Sequence, residues 1–234
     1  MKKEIVIELK DVWKIYRMGE VEVPALRGLN LQVKKGEFLS IMGPSGSGKS
    51  TAMNMIGALD VPTKGSIFLD KKDISTLSES DLAQLRGKKI GFIFQQFNLI
   101  STLSALENVA LPMIFQNMSR TERIERATNL LERVELGERI NHKPAEMSGG
   151  QQQRVAIARS LCNDPEVILA DEPTGNLDST TGHKVVDFLQ DLNKKEKKTI
   201  VMVTHDEDVA EHAQRMEYLR DGKNVESKKH FQGG

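Results

Sequence analysis

Apolar, strand-like runs alternating with helical segments predict an α/β fold with a largely parallel sheet, interrupted by a helical insert. Three observations carry that prediction. The run Phe38-Leu39-Ser40-Ile41-Met42 is short and apolar, as a buried strand is, and leads directly into a glycine-rich loop. A second run, Val167-Ile168-Leu169-Ala170, ends in two acids, Asp171 and Glu172. Between them, from about Gln96 to Leu161, the pattern turns mostly helical.

The elements come in this order. Residues 5–9, 29–33 and 38–42 read as strands, punctuated by Pro24 and by Lys35-Gly36. A helix over residues 51–59 places Ala52, Met55, Ile56 and Leu59 on one face, and Asp60, Pro62 and Gly65 stop it. Residues 66–70 and 90–94 read as further strands. Residues 121–134 form an amphipathic pattern with Ile124, Ala127, Leu131 and Val134 on the apolar side. Ser148 is a good N-cap for a helix over 151–161, in which Val155, Ala158 and Leu161 keep helical register. Strand character returns at residues 199–203. A short helix and a strand-like end with an Asp221-Gly222 turn complete the pattern. The polar tail, residues 226–234, reads as disordered.

The loop after Met42 is Gly43-Pro44-Ser45-Gly46-Ser47-Gly48-Lys49-Ser50-Thr51, which fits the phosphate-binding pattern G-x-x-x-x-G-K-[ST]. Its glycines let the backbone curl until successive N–H groups face one anion. The helix that starts near Gly48 adds the positive end of its dipole. Lys49 supplies charge to the β and γ phosphates, and the Ser50 hydroxyl suits Mg²⁺. A flexible Gly/Ser loop is the bland alternative, and the strand before and helix after the loop argue against it. Asp171 and Glu172 sit where a parallel sheet presents its ligands. Alternation along the strand gives them separate directions, so Asp171 can hold Mg²⁺ while Glu172 polarises an attacking water. Met147-Ser148-Gly149-Gly150-Gln151 is a second glycine-rich helix start that would cradle a phosphate, although Ser-Gly-Gly alone also opens ordinary helices.

Composition bounds the rest. The 234 residues carry 33 basic and 33 acidic side chains, so no net field attracts nucleic acid. The single cysteine, Cys162, excludes a disulfide within the chain and reads as a small buried hydrophobe. The first eight residues are too short an apolar run for a signal peptide, and no segment approaches the ~18 apolar residues of a membrane span. The expectation is a soluble, intracellular chain whose membrane role comes through a partner.

Phosphate loop, Ser-Gly-Gly-Gln before a helix, then an apolar strand ending Asp-Glu, in that order, resembles the ATPase subunit of an ABC transporter. The likeness runs from about Tyr16 to His205. Met147 stands where the family signature usually has Leu, a volume-conserving exchange. The resemblance implies a P-loop NTPase core over residues 1–96 and 162–234, with an antiparallel β subdomain at its start. A helical subdomain over 97–161 would carry the signature. Gln95 resembles the glutamine that touches Mg²⁺ and the γ-phosphate. Asn176-Leu177-Asp178 resembles the loop through which paired subunits communicate, with Asn176 less usual there. His205 resembles the switch histidine, and Tyr16 the aromatic that stacks on adenine. Taken alone, one His after a strand is more often structural than catalytic, and a strand-edge aromatic is a nearly equal reading of Tyr16.

Tyr16-Arg17-Met18-Gly19, Phe94-Gln95-Gln96-Phe97-Asn98-Leu99 and Ala105-Leu106-Glu107-Asn108-Val109 are most similar to the LolD, MacB and FtsE group. The resemblance implies a homodimer that closes head to tail on ATP and Mg²⁺, each phosphate loop facing the partner copy's signature. Membrane permease subunits would dock on the helical subdomain from the cytoplasmic side, with no nucleic acid involved. Two rival readings are a soluble ABC-type ATPase acting on DNA or the ribosome, and a regulatory module that controls assembly without transport.

Overall fold

The computed structural model describes residues 4–225, and the tail expected to be disordered lies outside them. In chain order the strands are β1 (Ile5–Met18), β2 (Val21–Lys34), β3 (Phe38–Met42), β4 (Lys64–Leu69), β5 (Lys72–Asp73), β6 (Ile90–Ile93), β7 (Val167–Asp171), β8 (Thr199–Thr204), β9 (Arg215–Arg220) and β10 (Lys223–Val225). The helices are α1 (Lys49–Ile56), α2 (Glu79–Lys89), α3 (Ala105–Ile114), α4 (Arg120–Arg133), α5 (Gly149–Leu161), α6 (Ser179–Glu196) and α7 (Glu207–Ala210). The chain forms two compact units, one of Met1–Ala83 with Gln190–Gly234 and one of Gln84–Leu189.

The first unit contains an antiparallel sheet in the order β2-β1-β4-β5. The two short strands expected at its start are parts of β1 and β2, which run 14 residues each. Their pairing slips at several places, among them between Leu9 and Val12 and between Lys14 and Ile15. Such irregularities interrupt the two-residue alternation by which a strand is recognised. Pro24 therefore does not separate strands. It lies inside β2 opposite Ile15, next to one of the slips, where a missing N–H is tolerated. Where pairing is regular the alternation is clean: Leu29, Leu31 and Val33 are buried, and Asn30, Gln32 and Lys34 are exposed.

In the same unit β3 pairs in parallel with β8 on one side and β9 on the other, and β10 closes antiparallel on β9. Every residue of β3 and of β8 is buried, the pattern of strands covered on both faces. The helix after the glycine loop is shorter than expected. Ala52, Met55 and Ile56 are buried on α1, but Leu59 lies beyond its end and is 44% exposed.

In the second unit β6 and β7 pair in parallel, Ile90 against Val167 through Ile93 against Ala170. The helical insert contributes α3, α4 and α5, and each opens with a reciprocal cap: Ser104 with Glu107, Ser119 with Glu122, Ser148 with Gln151. Ala127 and Leu131 of α4 are buried as the periodicity predicts, and Val134 caps the helix. Ile124, assigned to the same face, is 39% exposed. It is the first apolar residue after the cap, a turn ahead of the buried stretch.

Candidate active site

The phosphate loop is built by exclusion of side chains. A Cβ on Gly43 would stand 2.3 Å from Ser47 Oγ and 2.5 Å from the Leu219 carbonyl. Gly48, the N-cap of α1, has φ +99° and faces the Ala25 carbonyl at 2.6 Å from where a Cβ would be. The Leu219 and Ala25 carbonyls are main chain, which cannot swing aside, so glycine is required at both positions. The turn at Gly222 supports the loop from β9 and β10: its N–H donates to the Ser47 carbonyl at 3.0 Å and its carbonyl accepts from Arg27 N–H at 2.9 Å. The sequence marks Asp221-Gly222 as a turn but carries no sign of this second task. Lys49 folds back on the loop, its Nζ donating to the Gly43 and Pro44 carbonyls at 2.7 and 3.0 Å. The Ser47 hydroxyl is buried with no hydrogen-bond partner among the described residues, while Ser50 is exposed at the start of α1. Pro44, Ser45 and Gly46 are exposed and Thr51 is half-buried.

Two other expected residues lie in this unit. Tyr16, on β1, faces the loop helix, with the Thr51 hydroxyl and the Asp60 carboxylate beside its phenol. Burial, then the Asp60 charge, push the phenol above its ordinary pKa. The Lys14 ammonium stands 5.1 Å from the ring centroid and bonds Asp60 at 2.5 Å. Neither Lys14 nor Asp60 has a motif that would mark it. His205 follows β8 and is exposed. Because Met42 pairs with Thr204, Gly43 and His205 leave the sheet side by side at its carboxyl edge.

The second unit holds the remaining residues. Ile93 pairs with Ala170, so Gln95 and Glu172 emerge two residues later at one edge of the β6–β7 pair. Asp171 ends β7 and is half-buried. Glu172 is not a strand residue. Its φ is +45°, and its carbonyl accepts from Gly175 N–H at 3.1 Å, so a tight turn replaces strand alternation in aiming the two acids. The buried Gln153 side chain of α5 holds that turn by donating to the Pro173 carbonyl at 2.6 Å.

At the signature, Met147 is buried at 8% exposure, as the exchange from Leu predicts. Ser148 Oγ accepts from Gln151 N–H at 3.3 Å, and Ser148 N–H donates to Gln151 Oε1 at 2.9 Å. Ser148 and Gln151 therefore hold each other. An accepting hydroxyl keeps its own proton to donate, and Gly149 and Gly150 present N–H groups at a helix start. Gly150 has a local need for glycine: a Cβ would meet Thr181 Cγ2 at 2.5 Å. Asn176 and Leu177 lie against Gly149. Asp178 accepts from Thr181 N–H at 3.0 Å, and the Thr181 hydroxyl, then that N–H, hold its carboxyl below the ordinary pKa.

In the first unit Ser50 offers a hydroxyl, and in the second Gln95 offers an amide oxygen and Asp171 a carboxylate. Hard oxygen donors with few charges suit Mg²⁺, which keeps waters and phosphate oxygens around it. No cluster of three His, Cys, Asp or Glu able to hold a metal occurs among the described residues. None of their helices is long and apolar enough to cross a membrane.

A parallel α/β core with a glycine-cradled loop ahead of a helix defines a P-loop nucleotide-binding protein. The family model described as ABC transporter matches residues 26–175, and the chain belongs to that family: it is an ATP-binding cassette, an ATPase of the ABC type. It is 54% identical over 231 residues to an uncharacterised ABC transporter ATP-binding protein of Methanocaldococcus jannaschii, MJ0796, covering 97% of this chain and 98% of that one. It is 50% identical over 218 residues to the macrolide export ATP-binding/permease protein MacB of Syntrophobacter fumaroxidans, of which it spans 30%. Among solved structures, a dimeric post-hydrolysis state of the MJ0796 cassette bound to ADP and Pi superposes with a TM-score of 0.88 at 53% identity, covering 94% of this chain and 97% of that one.

Proposed function

We propose that this cassette powers a membrane permease of the LolD, MacB and FtsE kind through ATP-driven closure of a homodimer. The observation that carries the reading is the loop cradle itself, where Gly43 and Gly48 admit no side chain. Lys49 and the loop N–H groups hold the β and γ phosphates, and Tyr16 stacks on adenine. Ser50, Gln95 and Asp171 would hold Mg²⁺, which supplies charge neutralisation at the phosphates. Glu172 orients the attacking water and His205 contacts the γ-phosphate. Ser148, Gly149, Gly150 and Gln151 close over the nucleotide of the second copy, and Asn176, Leu177 and Asp178 report its presence. That the solved relatives are dimeric cassettes, one bound to ADP and Pi, supports this reading.

The helical subdomain, residues 97–161, is the docking region. Its support is an apolar tip at the end of α3, where Phe115 is 78% and Ile114 46% exposed. The cassette works at the inner face of the cell membrane through that partner, and nucleic acid plays no part.

Steady-state ATP turnover of purified variants tests the assignment. Glu172→Gln is expected to lose about 100- to 10,000-fold in turnover while still binding ATP. Lys49→Ala is expected to lose nucleotide binding. Phe115→Asp is expected to keep the isolated ATPase and lose stimulation by a co-expressed permease. Near-normal turnover of Glu172→Gln contradicts the reading.

A further inference from the structure

Gln95 lies in a short segment whose conformation needs outside support. Phe97 and Asn98 are consecutive non-glycine residues with φ of +56° and +50°. Left-handed backbone at a bulky aromatic is disfavoured and persists only where the surroundings impose it. The surroundings are two side-chain clamps from the same unit. From α5, the Arg159 guanidinium donates to the Phe97 carbonyl at 2.7 Å and the Asn98 carbonyl at 2.5 Å. A planar fork held on two successive carbonyls fixes both peptide planes, which a lysine cannot do. From the turn after β7, Asn176 Nδ2 donates to the Gln95 carbonyl at 2.7 Å. Next to it, a Cβ on Gly175 would stand 2.8 Å from Gln95 Nε2 and 3.4 Å from its Cγ and Cδ, so the Gln95 side chain lies directly on Gly175. The Phe97 ring completes the assembly, 3.7 Å from where a Cβ on Gly149 would be.

We propose that Asn176 is a positioning residue for Gln95, working with the Arg159 clamp, so that movement of the loop Asn176-Leu177-Asp178 is passed to Gln95 inside one subunit. Asn176 is exposed and its amide donates to a main-chain oxygen of its own unit. Its side chain therefore acts on where Gln95 sits. The two clamps grip opposite ends of one strained segment. Displacing Asn176 releases the Gln95 end while Arg159 keeps the other end fixed, so the motion falls on Gln95 itself. The inference rests on the assignment of Gln95 to the Mg²⁺ and γ-phosphate site.

The test is a double-mutant cycle on the full chain, read as turnover, ATP affinity and the Mg²⁺ concentration for half-maximal rate. Asn176→Ala is expected to lower turnover about three- to tenfold, the worth of one hydrogen bond, with ATP affinity unchanged and the Mg²⁺ midpoint raised. Gly175→Ala, which pushes the end of a flexible side chain and leaves the fold intact, is expected to act in the same direction. In a Gln95→Ala background, Asn176→Ala is expected to cost nothing further, because it acts through Gln95. Arg159→Met tests the second clamp, and Arg159→Lys, which keeps the charge and loses the fork, is expected to fall between it and wild type. A fully additive cycle, or an Asn176→Ala variant with unchanged turnover and Mg²⁺ midpoint while Gln95→Ala is impaired, overturns the inference and leaves the assignment of Gln95 standing. An unimpaired Gln95→Ala variant overturns both.

Discussion

The Tyr16 hydroxyl donates to Asp60 Oδ2 at 3.2 Å, and the same carboxylate takes the Lys14 ammonium, which stands over the Tyr16 ring. In the proposed function this ring, anchored at its hydroxyl and faced by a cation on one side, stacks its other face on the base of ATP. The orientation comes from a loop residue 44 positions away, beyond α1.

The first prediction concerns that anchor. Tyr16→Ala is expected to weaken ATP binding about 5- to 100-fold, the range for loss of one base–aromatic stack. Asp60→Ala, which frees the ring without removing it, is expected to cost about three- to tenfold. Turnover at saturating ATP stays near wild type in both. Titration with a fluorescent ATP analogue checks this, and unchanged affinity in Tyr16→Ala removes the ring from the site.

A second prediction comes from the loop cradle. Gly48→Ala places a Cβ at φ +99° and 2.6 Å from a main-chain oxygen. It is expected to cost about 2–4 kcal/mol of stability, by strain and close contact together. Gly46→Ala separates the two effects. Gly46 has φ +78° but nothing within 4 Å of its missing Cβ, so it is expected to cost less, about 1–2 kcal/mol. Chemical denaturation of the nucleotide-free protein measures both.

These glycines also show what a sequence discloses. The loop was legible because its motif encodes local backbone geometry, and α5 was legible because its cap lies within four residues. β7 was legible as an apolar run covered on both faces. β1 and β2 were read at a third of their length, because their pairing slips break the alternation. α2 carried little signal, since Leu82 is its one buried residue. α6 did carry one, with Val185, Val186, Leu189 and Leu192 buried at helical spacing. Lys14, Asp60, Leu219 and Gly222 support the site from far along the chain, and no local pattern announces a residue whose partner is distant. The left-handed turn at Glu172 was hidden for another reason: a glutamate after a strand gives no hint of positive φ.

A third prediction uses charge. Burial pushes the Glu37 carboxyl up, but the Arg215 guanidinium at 2.7 Å and the Lys34 N–H at 2.7 Å outweigh it, and Glu37 ends below its ordinary pKa. A depressed folded-state pKa contributes stability that is present above the unfolded value and is lost as pH falls through the folded one. Arg215→Met leaves a carboxylate that is 8% exposed facing its lost partner. With Arg215 itself 34% exposed, the cost discounted for solvent is about 1–3 kcal/mol at neutral pH. The gap between variant and wild type is expected to begin narrowing as the pH drops into the carboxylate range. Denaturation at pH 7 and at pH 4 measures it, and an equal gap at both rejects the pair as its origin.

The most direct test of ATP-driven pairing is the association state of Glu172→Gln in ATP, in ADP and without nucleotide, measured by light scattering at micromolar concentration. Ser148, Gly149 and Gly150 are N–H and O–H donors at a helix start that the phosphate loop of the same chain does not need. Closed over the γ-phosphate of a second copy, about 2 kcal/mol per bridged phosphate at two sites would tighten association roughly a thousandfold. ADP lacks the bridging group. The expected result is a dimer in ATP, monomers in ADP and in buffer, and monomers in ATP once Ser148→Arg is added. A variant that stays monomeric in ATP, or that ADP dimerises equally well, contradicts it.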